Sequence, residues 1–168
     1  MDLRTARTKK NIKDAFLKLR RKKPIEKITI KEIASIAMID KATFYRHYED
    51  IYHLSDEVEN EILDKCVVET EALSIKDITQ RFINNSDEFN TVFSGKRIDI
   101  AVNKLHERYM EIFLKTHPEL QDNLEKRVIL SSLIFGNFKA YTYYQKEDIN
   151  PVIKGIQTLS DVLNYIVF

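Results

Sequence analysis

Apolar residues recur at the spacing of an α-helix along almost the whole chain. In the first such stretch, the positions i, i+3, i+4 and i+7 hold Ile12, Ala15, Phe16 and Leu19. Lys and Arg fill the opposite face, which predicts an amphipathic helix over about residues 5–22. Only three Gly and three Pro interrupt the 168 residues, and polar side chains divide every apolar run before the roughly 18 residues that a transmembrane helix needs. The sequence therefore predicts an all-α protein.

Two helix starts follow in quick succession after Pro24. Thr29 and Glu32 have the T-x-x-E spacing of a capping box, in which each side chain satisfies a backbone N–H of the other residue. Asp40 is an N-cap residue eleven positions later. We therefore expect a brief second helix from Thr29 and a third helix from Asp40, joined by a tight turn.

The third helix divides into an apolar face and a polar face. Phe44 and Tyr48 share the face that can pack on the first helix, so the three helices form a helix-turn-helix unit. The outward positions are Lys41, Ala42, Thr43, Tyr45, Arg46 and His47. Cations, hydroxyls and an imidazole bind phosphate oxygens and base edges, and a small Ala allows close approach of the backbone. This face is expected to enter the major groove of DNA.

The charge distribution agrees with a polyanionic partner at one end of the chain. Residues 1–50 hold fourteen Lys and Arg against seven Asp and Glu, a net charge of +7. The remaining residues hold thirteen against nineteen, a net charge of −6. A basic first third followed by an acidic remainder indicates that the N-terminal part meets nucleic acid.

The run ITIKEIASIAMIDKATFYRHYEDIYHL, preceded by RTKKNIKDAFLKL, resembles the DNA-binding domain of the TetR family over roughly residues 5–54. The similarity lies in the T-x-x-E-I-A start, the T-F-Y-R-H core and the helix that follows at once. It implies a bacterial transcriptional regulator that binds a palindromic DNA operator as a homodimer. Repression is the expected mode, and activation stays open. The resemblance implies no cofactor.

The resemblance also assigns roles to single residues. Thr43, Tyr45 and His47 match positions that commonly hold phosphates or bases in the family. Lys41 and Arg46 match positions that vary with the operator sequence. Thr29 matches a phosphate contact at the start of the second helix, where free backbone N–H groups favour an anion.

Two residues depart from the commoner family pattern. Met38 stands in the turn where many members have Gly, so we expect a bulky side chain on left-handed backbone. Ile51 stands where the family usually has a Lys that meets a phosphate, and we expect it to be the first helical residue after an Asp50 cap. Both departures are expected to weaken DNA binding somewhat.

The rest of the chain reads as further helices. They are expected at about 50–71, 75–84, 88–93, 97–116, 119–146 and 151–167, the last with Pro151 at its first position. Its apolar stripe comprises Val152, Ile156, Leu159, Leu163 and Ile166. By resemblance, the last two helices form a four-helix interface with a second copy, and the middle helices enclose an effector pocket. We thus expect a DNA-binding domain at 1–49 and a regulatory and dimerisation domain at 50–168.

The nature of the effector stays open between a small molecule and a partner protein. The alternative for the whole chain is a regulator or scaffold whose effector is a partner protein, with weak or lost DNA binding. Candidate pocket residues are the aromatic and imidazole side chains of Phe82, Phe89, Phe93, His106, Tyr109, Phe113 and Phe138. Aromatic residues at helical spacing are more often simply core residues.

Other chemistry is not expected. The four His show no i, i+4 pairing, and the single Cys66 reads as a packed helix residue, so no metal site is predicted. The sequence has no nucleophile elbow, phosphate loop or dinucleotide-binding motif, so we do not expect an enzyme. The polar, basic N-terminus favours a cytoplasmic protein, located at the nucleoid when bound to DNA.

Overall fold

All regular structure in the computed structural model is helical, and the all-α prediction is confirmed within the residues that it describes, 3–67, 75–144 and 146–167. The α-helices are α1 (Leu3–Arg20), α2 (Ile30–Ala37), α3 (Lys41–Tyr45), α4 (Ile51–Cys66), α5 (Ile75–Asn84), α6 (Ser86–Val92), α7 (Lys96–Thr116), α8 (Leu124–Tyr144) and α9 (Ile149–Val167). Single 3₁₀ turns occupy Ile25–Lys27 and Pro118–Leu120.

Several helix boundaries differ from the prediction. Helix α1 ends at Arg20 because the chain tightens there, with the Lys22 N–H donating to Leu19 O at 2.9 Å. Helix α8 begins at Leu124 instead of about 119, since Asn123 Oδ1 accepts from the Lys126 N–H at 3.0 Å. Helix α4 ends at Cys66, before the predicted end near residue 71, which itself lies outside the described residues.

The last helix also starts earlier than predicted, at Ile149. Asp148 Oδ1 accepts a hydrogen bond from the Asn150 N–H at 3.1 Å and so caps the helix. Pro151 therefore lies within the first turn instead of at the first position. A proline is tolerated there because the N–H groups of a first turn have no intrahelical partner.

The chain forms two compact units. One comprises the residues up to Ile62 together with Asp87–Ser94, and the other comprises Leu63–Ser86 together with the residues from Gly95 onward. The functional division that we predict at residue 50 stays a prediction.

The core of the first unit is built on α1. Phe16, Ile33 and Phe44 are fully buried, and α2 packs against both α1 and α3. The α6 segment belongs to the same unit, where the guanidinium of Arg20 donates to Val92 O at 2.7 Å. A cation at the carboxyl end of α6 stabilises the unpaired carbonyls there.

The core of the second unit is aromatic. Tyr109 and Phe113 of α7 are fully buried, and the Tyr109 hydroxyl donates to Cys66 O at 2.6 Å. Cys66 is buried, which confirms its predicted role as a packed residue. Helix α8 packs against α9.

An ionic cluster holds α1 to α4 in the first unit. The Glu57 carboxylate accepts from Lys9 Nζ at 3.0 Å and pairs with Lys13 Nζ at 2.6 Å. The hydroxyl of Tyr48 lies 3.4 Å from the same carboxylate, and Lys13 also pairs with Glu61. Partial burial opposes ionisation of Glu57, but the hydrogen bonds and charges of the two lysines prevail, so its pKa is lowered.

Replacing Glu57 by Gln should lower the free energy of unfolding by about 1 kcal/mol at pH 7, because two partly buried lysines lose their shared partner. A group whose pKa is lowered on folding stabilises the protein above its unfolded value of about 4.3. The difference between wild type and Glu57→Gln should therefore shrink as the pH falls below that value. Urea unfolding at pH 7 and at acid pH measures it.

Glu61→Gln is the matched control, since Glu61 shares Lys13 but its side chain is half exposed. It should have a smaller effect. Equal effects of the two variants at pH 7 would contradict a central role for Glu57.

Candidate nucleic-acid interface

The capping box at the start of α2 forms as predicted. Thr29 Oγ1 accepts from the Glu32 N–H at 3.3 Å, and Glu32 Oε2 accepts from the Thr29 N–H at 3.0 Å. Lys23 Nζ pairs with the same carboxylate at 2.6 Å. The hydrogen bond from Lys23 and those from Thr29 lower the pKa of Glu32 to about 2. The side chain of Thr29 is exposed, so a phosphate can approach the start of α2.

The turn between α2 and α3 is a left-handed C-terminal cap. Met38 has φ 57° and ψ 46°, which confirms the expected left-handed backbone. The Ile39 N–H donates to Ala34 O at 3.0 Å, the bond that closes a Schellman motif. The Met38 side chain is 92% exposed.

Helix α3 presents the predicted faces. The Asp40 carboxylate accepts from the Thr43 N–H at 2.6 Å and caps the helix, which lowers the pKa of Asp40. Phe44 and Tyr48 are buried, with ring centroids 5.7 Å apart. On the other face, Lys41, Ala42, Tyr45 and Arg46 are exposed, and Thr43 and His47 are half-buried.

Within the polar face, Arg46 and Thr43 are joined. An Arg46 Nη donates to Thr43 Oγ1 at 2.5 Å, so the guanidinium and the hydroxyl form one hydrogen-bonding unit. The guanidinium keeps further donors, since it carries five N–H groups in all. The Tyr45 side chain is 57% exposed, as predicted for a residue one position away from the buried stripe.

An open groove of about 750 Å³ runs beside α3. Its lining residues from α1 are Arg4, Thr5 and Thr8, those from α2 and the turn are Ala34, Ser35, Met38 and Ile39, and those from α3 and its cap are Asp40, Thr43, Arg46 and His47. Hydroxyl, guanidinium and imidazole groups give this groove hydrogen-bonding capacity for phosphate oxygens.

Sequence reasoning missed the contribution of α1 to this groove. Arg4 and Thr8 are one helical turn apart, and Thr8 Oγ1 donates to Arg4 O at 2.9 Å. Their shared face was visible in the i, i+4 spacing, but only the fold places that face beside α3.

The start of α4 agrees with the prediction. Helix α4 begins at Ile51, and Asp50 Oδ1 accepts from the His53 N–H at 2.8 Å as the capping residue. Ile51 is half-buried. Its position beside a phosphate stays a prediction.

The fold resembles that of a known group of regulators. A crystal structure of a TetR-family transcriptional regulator from Streptomyces coelicolor superposes with a TM-score of 0.66, covering 92% of this chain and 80% of the other, at 15% sequence identity. The chain has the TetR-family fold. No family model and no curated protein matches the sequence.

The TetR-family fold separates the predicted effector residues into two sets. Phe89 and Phe93 lie in the first unit, where their ring centroids are 4.7 Å apart. The second unit contains Phe82, His106, Tyr109, Phe113 and Phe138. No single pocket within either unit can therefore be lined by all seven.

Two of these residues line a small apolar cavity in the second unit. Phe82 contacts Phe138 and Tyr141 edge to face, at centroid distances of 4.6 and 4.8 Å. With Asn137 and Ile156 they enclose about 20 Å³, which is room for about one water molecule. His106 instead bonds to Ser131 at 2.9 Å and stacks on Phe135 at 4.2 Å, and burial lowers its pKa.

The described residues contain neither a metal-sized cluster of ligands nor a helix that could span a membrane. No three His, Cys, Asp or Glu side chains in those ranges converge on a metal-sized site. Over the same part of the chain, none of the helices combines the length and apolar character needed to cross a bilayer.

Replacing Asp40 by Ala should lower the melting temperature by a few degrees, because the first turn of α3 loses the acceptor of its Thr43 N–H. Asp40→Asn should retain most of the stability, since an Asn oxygen can accept the same bond. Thermal unfolding followed by circular dichroism compares the two variants. Equal losses in both would show that the charge matters and the cap does not.

Proposed function

We propose that this chain is a TetR-like transcriptional regulator, with repression as the expected mode, that binds palindromic DNA as a homodimer under the control of an effector. One observation carries the proposal: a capped α2–turn–α3 unit buries Phe44 and Tyr48 while its opposite face exposes Lys41, Tyr45 and Arg46. Such a face fits the major groove.

The proposed DNA face contains two kinds of residue. Tyr45 and His47 match positions that commonly contact phosphates or bases in the TetR family. We propose that the Tyr45 hydroxyl and the His47 imidazole contact phosphates. Lys41 and Arg46 are also exposed, and their donors suit guanine O6 and N7. Phosphate contacts fix the position of the protein, whereas base contacts read the sequence.

Tyr45→Ala and His47→Ala should weaken binding to all DNA sequences alike, because phosphate contacts carry no sequence information. Lys41→Ala and Arg46→Ala should instead change which sequences are preferred, with roughly 1–3 kcal/mol of discrimination lost for a good bidentate pair. Selection from a random DNA pool followed by affinity measurement distinguishes the two outcomes.

Two further variants sharpen this experiment. Tyr45→Phe removes only the hydroxyl and should reproduce most of the loss seen in Tyr45→Ala. Tyr52→Ala removes an aromatic ring of nearly equal exposure, 55% against 57%, from α4 and should leave binding unchanged. Absence of duplex binding by the wild-type protein would refute the proposed function, and unchanged preference in both Lys41→Ala and Arg46→Ala would remove these two residues from base recognition.

The proposed dimer surface lies on α8 and α9. Leu124, Val128 and Tyr143 of α8 are 66%, 56% and 80% exposed, at helical spacing along one stripe. Leu159 and Val162 of α9 are 47% and 57% exposed. An apolar stripe on each of two packed helices suits a four-helix contact with a second copy of the chain.

Small residues flatten this surface. Gly136 and Gly155 are exposed, and a Cβ at either position would meet no atom within 4 Å. A flat stretch lets the helices of a second copy approach closely. The apolar stripe that the sequence predicts on α9 does not all lie on this surface. Ile156 is buried in the core, whereas Leu159 is exposed.

The wild-type protein should sediment as a dimer at micromolar concentration. Val128→Glu should weaken the dimer at least about tenfold, because two-fold symmetry buries the new charge twice. Ile100→Glu changes a residue of equal exposure, 56%, on α7 and should leave the dimer intact. A monomeric wild-type protein, or equal effects of both variants, would contradict the proposed surface.

The proposed effector is either a small molecule or a partner protein. The cavity at Phe82 and Phe138, at about 20 Å³, is far smaller than a pocket for a metabolite and would have to open to receive one. The effector is therefore either a small molecule that opens this cavity or a partner protein. A rise in melting temperature with aromatic metabolites would indicate a small-molecule effector. Binding of an identified partner protein, without such a rise, would indicate a protein effector.

A further inference from the structure

The turn between α2 and α3 contains a combination that folding alone does not favour. Met38 has a positive φ of 57°, a backbone conformation in which the Cβ crowds the following carbonyl and which glycine adopts freely. Its side chain is 92% exposed, so no packing within the described residues offsets the strain. A strained residue whose side chain packs on nothing points to a contact outside the chain.

The backbone holds this side chain at a fixed place. The Met38 N–H donates to Ser35 O at 3.4 Å, and the next N–H, of Ile39, donates to Ala34 O at 3.0 Å. Asp40 then caps α3 through the Thr43 N–H. The turn is hydrogen-bonded on both sides, so the position of the Met38 Cα is set before any ligand arrives.

The side chain lies in the lining of the groove beside α3. Arg4 and Thr8 line the same groove from α1, and Thr43 and Arg46 line it from α3. The guanidinium of Arg46 has further N–H groups besides the one that bonds to Thr43, and these suit phosphate oxygens. Between successive phosphates of a DNA strand lies a deoxyribose, whose carbon atoms form an apolar surface. The apolar side chain of Met38, placed among groups that can bind phosphates, suits this apolar sugar surface.

We propose that Met38 is a DNA-contact residue whose thioether chain packs on a deoxyribose of the strand seated in this groove. The inference rests on the proposed function, of which it specifies one contact. An unbranched, polarizable side chain adapts to irregular surfaces. Because every nucleotide carries the same sugar, the contact is independent of sequence. It reverses the expectation, drawn from the sequence alone, that Met38 weakens DNA binding.

The experiment compares three variants with the wild-type protein. Met38→Gly relieves the backbone and removes the side chain, Met38→Ala removes the side chain but keeps a Cβ on left-handed backbone, and Met38→Leu keeps the apolar bulk. The probe is a mixed-sequence duplex of about 30 base pairs, because a sugar contact needs no operator. Affinity at several salt concentrations and the melting temperature are measured for each.

Met38→Gly should melt at a higher temperature than wild type and yet bind the duplex roughly three- to tenfold more weakly. Met38→Ala should show the same loss of affinity without the gain in melting temperature. Met38→Leu should bind nearly as tightly as wild type. The slope of log K against log[salt] should be the same in all four proteins, since no charge is removed. Ile100→Ala, at another exposed apolar residue, should change neither quantity.

Two results overturn the inference while leaving the proposed function intact. One is wild-type affinity in Met38→Gly together with higher thermal stability, which would make Met38 only a strained cap. The other is loss of affinity for selected sites alone, with binding to the mixed-sequence duplex unchanged, which would place Met38 on a base. Failure of the wild-type protein to bind the duplex at low salt would overturn the proposed function and this inference together.

Discussion

The carboxylate of Glu57 is the point at which the elements of the first unit are joined by charge. It receives Lys9 and Lys13 from α1 while lying on α4, and the hydroxyl of Tyr48 approaches it from the segment that follows α3. Lys9 Nζ also lies 5.3 Å from the centre of the Tyr48 ring, close enough for a cation–π contact. The position of α4 on α1 thus depends on these ion pairs, and Tyr48, in the segment after α3, approaches the same carboxylate.

This cluster also divides the basic residues of α1 into two groups. Lys9 and Lys13 are directed toward carboxylates of α4, whereas Arg7 and Lys10 are exposed. The net charge of the N-terminal third therefore overstates the charge that is open to a polyanion. Charge counted along a sequence cannot make this distinction, because the partners of Lys9 and Lys13 are 48 positions away in the chain.

The sequence predicted correctly those features that depend on residues close together in the chain. The Thr29–Glu32 capping box, the Asp40 cap, the left-handed Met38 and the buried faces of Phe44 and Tyr48 depend on residues within one or two turns of each other. Periodicity also placed α5 and α7 closely. It could not separate Phe89 and Phe93 from the other aromatic residues, since assignment to a core depends on contacts distant in sequence.

The start of α8 and the groove beside α3 show the same limit. Periodicity does not reveal that Asn123, and no earlier residue, supplies the cap of α8. Nor does it reveal that Arg4 and Thr8 line the same groove as α3, because that depends on how α1 packs against α2.

One buried polar contact has a consequence for how α8 and α9 can be arranged. Asn137 Nδ2 donates to Ser160 Oγ at 3.1 Å, and that hydroxyl, fully buried, donates to Ile156 O at 2.8 Å. Apolar residues at helical spacing tolerate a slide of one helix along the other by a whole turn, since one Leu or Ile can replace another in a given gap. A slide of α9 would leave the Asn137 amide without its acceptor in an apolar setting. The hydrogen bond between Asn137 and Ser160 thus fixes the register of α9 against α8. It thereby sets where the exposed stripe on α9 lies relative to the one on α8.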